Sequence, residues 1–302
     1  MRDLSTVHDK RGRRTKARIE QLDQQILNVL TDDHPQSVRH VFYRMTDPRL
    51  AEPVEKSDHG YRQVQYRITE LRRAGLLPYG WITDATRRGY HVDTFRDSAD
   101  FLRRVTGLYR ADIWRDADAY VEIWCESRSI AGVIEDDCEE LAVSLYPAGG
   151  FSSITLAYQA AEYINEATAY RYEGSVLHKP AVILYVGDYD PAGVLIDVSL
   201  QKELQKHLHP DVILNFKRLA ITEGQIIQYD LPTKPRKATD RRSPHVAETV
   251  EAEAMPARVL RQIVRGWVET FMPDGALQAA KAAEESERAG LLRLAEALEV
   301  AA

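Results

Sequence analysis

Residues 180–193 read PAVILYVGDYDPAG. The run from Pro180 to Val186 is continuously apolar, the pattern of a strand buried on both faces of a parallel sheet. It delivers two aspartates, Asp188 and Asp190, with Pro191 and Gly193 just behind them. Carboxylates that share a site repel one another and resist ionisation. A buried strand ending in two of them therefore needs a partner for that charge.

Working outward, residues 119–125, AYVEIWC, form a second apolar strand, with Glu126 directly behind it. The stretches 129–145, 154–168 and 194–208 have helical spacing, and 212–220, VILNFKRLA, reads as a further strand. Strands alternating with helices predict an α/β domain with a parallel sheet. In such sheets the site lies at the C-terminal ends of the strands. Glu126, Asp188 and Asp190 all fall there, and a hard divalent cation such as Mg²⁺ removes the cost of gathering them. The competing reading is a solvated turn started by Asp190-Pro191. Residues 231–244 are polar and proline-rich and read as a loop, and the chain is helical from Val246 onward.

The N-terminal third has another character. Residues 1–18 carry seven basic and two acidic residues and read as a flexible basic arm. Helical spacing follows at 19–30, at 36–45 and at 60–75, where Gly75 is placed as a left-handed cap. Residues 76–92, rich in Gly, Pro, Tyr and Trp, read as a β-hairpin. Three helices and a hairpin in this order predict a winged helix-turn-helix over 19–110, its third helix entering DNA. Arg62, Arg67, Arg72 and Arg73 lie along that helix, and Arg87 and Arg88 lie in the wing. Residues 111–302 read as a second domain, the α/β domain with its C-terminal helices, placed to bind the metal. The charge follows the same division. Residues 1–110 hold 21 Lys and Arg against 15 Asp and Glu, although the whole chain of 302 residues is at −6. Such an asymmetry suits phosphate at one end and a cation at the other.

The residues from Glu126 to VGDYDPAG (186–193) resemble a TOPRIM domain, the metal-binding module of topoisomerases, primases and some nucleases. DYDPAG is especially similar to the form found in the A subunit of DNA topoisomerase VI and its meiotic double-strand-break relatives. Residues 37–43, SVRHVFY, resemble that group's tyrosine motif, in which an Arg lies four residues before the nucleophile. The residues 79–89, 223–242 and 250–264 resemble the short bacterial, plasmid and phage homologues called Mini-A. The resemblance implies Mg²⁺-dependent cleavage and rejoining of double-stranded DNA through a phosphotyrosyl bond on Tyr43, with Mn²⁺ as a substitute. It also implies a C2 homodimer, in which Tyr43 of one protomer meets Glu126, Asp188 and Asp190 of its partner.

The residues suit that chemistry. Arg39 and Tyr43 share one helical face at i and i+4. A neutral phenol is a poor nucleophile, and a guanidinium beside it favours phenolate and binds phosphate. Two other readings stay open: a TOPRIM nuclease that hydrolyses DNA with water while Phe42 and Tyr43 are core, and a non-catalytic DNA-binding accessory protein. No phosphate-binding GxxxxGK[ST] or GxGxxG stretch occurs, so any ATPase would be a separate subunit. Cys125 and Cys138 have no metal-ligand spacing and read as reduced thiols. No apolar run reaches membrane-spanning length, and the basic N-terminus lacks an apolar signal core. These features together predict a cytoplasmic, nucleoid-associated protein with no membrane partner.

Overall fold

Thr15 opens the first helix of the computed structural model, which describes residues 14–83, 92–149, 154–236, 243 and 246–301. The Thr15 hydroxyl accepts from the Arg18 amide, and α1 (Lys16–Asp32) runs from there, burying Leu22, Ile26 and Leu30. Each such side chain contributes roughly 1.5–3 kcal/mol of hydrophobic stabilisation. The basic arm therefore ends earlier than its composition predicts. Arg14 Nε and Arg18 Nε donate to the two oxygens of Glu52 at 2.6 and 2.8 Å. Glu52 is 3% exposed, and a buried carboxylate needs these cations.

After β1 (Gln36–Ser37), α2 (Val38–Met45) is capped by Ser37, whose Oγ accepts from the His40 amide at 3.3 Å. Its residues His40, Val41, Phe42, Tyr43 and Met45 are buried. α3 (Asp58–Arg73) is capped by Ser57 and buries Val64, Ile68 and Leu71. Gly75, with φ of 70°, takes the left-handed conformation past its end. β2 (Ile82–Thr83) pairs with β1. Of the expected hairpin, Tyr79–Trp81 form a 3₁₀ turn. Residues 84–91, with Arg87 and Arg88, lie outside the described residues.

The chain divides into two units, Met1–Ile82 and Thr83–Ala302. Residues 83–110, read from sequence as part of the N-terminal module, group with the second unit. The reason lies in α4 (Ser98–Val105), which packs along the C-terminal helix Ala276–Ala301. Arg103 pairs with Glu299 at 2.5 Å, and the Ala111 amide donates to the buried Glu284 at 3.1 Å.

The second unit is an α/β domain. Its elements continue as β3 (Tyr120–Cys125), α5 (Arg128–Glu140), β4 (Ser144–Pro147) and α6 (Ile154–Thr168). Then come β5 (Ala169–Tyr172), β6 (Ser175–His178), β7 (Ala181–Val186), α7 (Gly193–Gln205) and β8 (Leu214–Ala220). α8 (Glu223–Gln228), β9 (Lys234–Pro235), β10 (Glu248–Thr249), α9 (Ala257–Glu269) and α10 (Ala276–Ala301) complete it. The central sheet has four strands in the order β4-β3-β7-β8, all parallel.

Every residue of β7 is buried, which explains its unbroken apolar run. On one face Trp124, Ile183 and Tyr185 pack with Ala157, Ala161 and Ile164 of α6 and Leu200 of α7. α5 contacts β3 and α9, and α9 contacts β8.

The helical reading of 129–145 was too long. α5 stops at Glu140, Ala142 turns left-handed with φ of 49°, and residues 144–147 become the edge strand β4. A short strand whose neighbour comes from elsewhere in the chain has no strong local signature. The β5–β6 hairpin was also unread. Glu173 and Gly174 form its two-residue turn, both with positive φ. Among the described residues no helix is long and apolar enough to cross a membrane.

Candidate functional site

The strand order places the first strand, β3, between the second and the third. The chain therefore changes direction across the sheet between β3 and β7, the position where α/β sheets open a crevice. Cys125 and Val186, the last residues of these two strands, are paired neighbours. Glu126 and Gly187 follow them directly, and the Glu126 amide donates to the Val186 carbonyl at 2.9 Å.

Two of the three expected carboxylates meet here. The Asp188 amide donates to Glu126 Oε2 at 2.9 Å. Asp188 Oδ1 accepts from the Ala252 amide at 2.8 Å. Among the described residues, no hydrogen bond reaches Glu126 Oε1 or Asp188 Oδ2. Burial, and then the charge of Glu126, push Asp188 up to about 8, against the weaker pull of the Ala252 amide. Glu126 is also raised, by burial first and by Asp190 and Glu253, while the Asp188 amide and Arg218 oppose the shift.

Asp190 is used differently. Its Oδ1 accepts from the amides of Ala192 and Gly193 at 2.9 and 2.5 Å, so it caps the start of α7. The turn reading of Asp190-Pro191 is thus realised alongside its charge near Glu126. The loop is tight. A Cβ on Gly193 would lie 2.3 Å from the Asp188 carbonyl oxygen, and one on Gly187 would lie 2.9 Å from Glu126 Oε2.

Sequence reading missed two contributors. Glu253, 7% exposed, acts on both Glu126 and Asp188 through its charge. Ser127 Oγ, which caps α5, donates to its Oε1 at 3.4 Å. Arg218, on β8, donates to the carbonyls of Gly187 and Asp188 at 3.0 Å each. Neither carries a local signal: Glu253 lies in a 3₁₀ turn (Ala252–Ala254) and Arg218 in an ordinary strand.

A divalent cation fits the chemistry of this donor set, which is all hard carboxylate oxygen, with one oxygen of each member of the Glu126–Asp188 pair reached by no hydrogen bond among the described residues. Among the described residues no three His, Cys, Asp or Glu side chains converge as a ready-made cage. The preformed element is a pair, with Asp190 and Glu253 beside it.

In the N-terminal unit, Tyr43 is 4% exposed. Its ring packs at 5.4 Å from Phe42, and Lys56 Nζ lies 5.5 Å from its centroid. The Arg39 guanidinium, expected beside Tyr43, stands 5.2 Å from the Tyr61 centroid. Arg67 is held in a two-bond fork by Asp23 at 2.6 and 2.7 Å. Arg72 donates to the carbonyls of Tyr79 and Ile82. Arg73 pairs with Glu70, and Arg62 reaches back to the Asp58 carbonyl; both of these contacts are exposed.

No family model, no curated protein and no solved structure matches this chain.

Proposed function

We propose that the chain is a Mg²⁺-dependent DNA-cleaving enzyme of the type IIB topoisomerase A-subunit kind, with a winged-helix N-terminal module and a TOPRIM-like C-terminal domain. The observation that carries this reading is the Glu126–Asp188 pair at the switch point of the parallel sheet. The two carboxylates are half-buried and both are raised, Asp188 in part by the charge of Glu126, and among the described residues no hydrogen bond reaches one oxygen of each. Glu126 and Asp188, with Asp190, hold Mg²⁺, which when bound neutralises charge on phosphate oxygens. Asp188 must first surrender its proton, and the Ala252 amide favours its ionised form. Exposed basic residues of α3 hold the duplex through salt-sensitive phosphate contacts.

In the leading chemistry, Tyr43 Oη attacks phosphorus. The phenol gives up its proton to solvent as the Oη–P bond forms, the P–O bond to the leaving ribose oxygen breaks, and that oxygen takes up a proton, so that none is gained or lost overall. Double-strand cleavage requires two copies of Tyr43, hence a C2 homodimer, and coupling to ATP requires a separate subunit. One observation favours a second reading. Tyr43 is 4% exposed, which suits a core aromatic in a nuclease that uses water.

Incubation of labelled duplex DNA with Mg²⁺, followed by denaturing gels, tests both. DNA bound covalently to wild-type protein, and lost in Tyr43→Phe, supports the tyrosine enzyme. Free ends that persist in Tyr43→Phe and vanish in Asp188→Asn support hydrolysis. DNA binding with no cleavage, unchanged by Mg²⁺ or by Asp188→Asn, overturns both and leaves a binding protein.

A further inference from the structure

The Arg218 side chain grips both ends of the loop that carries Asp188. Its Nη1 donates to the carbonyls of Gly187 and Asp188 at 3.0 Å each and to Ile221 at 3.4 Å. Its Nη2 donates to the Gly193 carbonyl at 2.8 Å. The guanidinium lies over the ring of Tyr185, 5.2 Å from its centroid.

Sheet register explains how a β8 residue reaches a loop that follows β7. Tyr185 pairs with Arg218, but Val186 pairs with Ala220, so Leu219 is an extra residue. Such a bulge bends the strand and re-aims the neighbouring side chain.

We infer that Arg218 is a positioning residue for the candidate metal centre, clamping residues 187–193 so that the Asp188 carboxylate is held toward Glu126. The clamp depends on geometry more than charge. A guanidinium offers five donors in a rigid planar fork, whereas a lysine ammonium is a point with three donors. A lysine at 218 keeps the cation near Glu126 but cannot span the Gly187, Asp188 and Gly193 carbonyls together. The Gly187 carbonyl keeps the Ile221 amide at 2.8 Å, but the Asp188 carbonyl would lose its arginine donor in a half-buried site, at a cost in loop order.

The inference rests on the metal reading only for what the clamp serves, so its test has two arms. The first is amide hydrogen exchange on the full chain without metal, comparing wild type with Arg218→Lys and Arg218→Gln. The expected result is exchange about tenfold faster at Asp188, Ala192 and Gly193, with β3 and β7 amides unchanged as the internal measure of the fold. The second arm is Mn²⁺ binding by titration calorimetry and electron paramagnetic resonance. Loss of an outer-shell partner typically weakens metal binding by roughly 10–100-fold, and Arg218→Lys is expected in that range despite its retained charge. Unchanged loop exchange in Arg218→Lys overturns the inference. So does faster exchange with unchanged Mn²⁺ affinity, and so does loss of protection throughout the sheet in both variants. If the wild type binds no Mn²⁺, the metal reading falls and the exchange arm alone decides whether Arg218 orders the loop.

Discussion

The amide of Asp188 donates to Glu126 Oε2 at 2.9 Å across 62 residues of sequence. The bond runs between the ends of two neighbouring parallel strands, where backbone groups leave the ladder and need new partners. It satisfies an amide, orients Glu126, and brings a second carboxylate beside the first. The electrostatic cost of that arrangement leads to the following expectations.

Asp188 is held at about 8 by burial and by Glu126, well above its unfolded value near 4. The folded metal-free protein therefore holds this proton better than the unfolded chain does. The stability it contributes is present below about pH 4 and is lost as pH rises through about 8. Asp188→Asn is expected to stabilise the metal-free protein more at pH 8 than at pH 5, by roughly 2–4 kcal/mol at the higher pH. It is also expected to abolish stabilisation by Mg²⁺. Thermal melts at both pH values, with and without Mg²⁺, check this.

Glu122 sets the same sign in another place. It is fully buried in β3 and accepts from Tyr120 Oη and Trp124 Nε1 at 2.7 Å each. Burial raises it to about 7, against those two donors. Its contribution is greatest below about pH 4.5 and is lost as pH rises through about 7. Glu122→Gln mimics the protonated carboxyl and is expected to stabilise the protein by about 1–3 kcal/mol at pH 8. At pH 4 it is expected to change little. Denaturant unfolding at the two pH values would show the difference, and equal effects at both would refute it.

Gly193 lies so close to the Asp188 carbonyl that an added Cβ would stand 2.3 Å from it. Gly193→Ala must push the loop open, at roughly 1–3 kcal/mol, and should weaken Mn²⁺ binding as well. Gly224→Ala is the matched control, because nothing lies within 4 Å of a Cβ there. Calorimetric titration of both variants with Mn²⁺ separates the local effect from a general one.

The arginines of α3 divide by their partners. Arg67 is committed to Asp23, and Arg72 to two carbonyls. Arg67→Ala is therefore expected to lower the melting temperature of the protein. Arg62→Ala and Arg73→Ala should leave stability unchanged while each reduces the salt dependence of DNA binding by about one unit of log–log slope. Fluorescence anisotropy over a salt series, beside thermal melts, distinguishes the two groups.

Much of this was legible in the chain because it is encoded locally. The unbroken apolar run at β7 and the left-handed Gly75 each depend on neighbours a few residues away. The edge strand β4 was read as helix because its ladder partner, β3, is not a local neighbour and no periodic face marks it. Residues 83–110 group with the second unit through α4, and no local pattern announces this because α10, which α4 packs against, lies at the far end of the chain.

By itself the sequence determined an alternating α/β domain, preceded by helices rich in arginine, with carboxylates at the ends of two strands. Periodicity and capping are short-range properties, so composition and spacing carry them. Only the tertiary structure decided which carboxylates pair, that Asp190 turns to cap α7, and that Glu253 and Arg218 come to the same loop. Those outcomes depend on strand order, a bulge at Leu219 and the burial of charges brought together from distant segments, and no local pattern of residues specifies them.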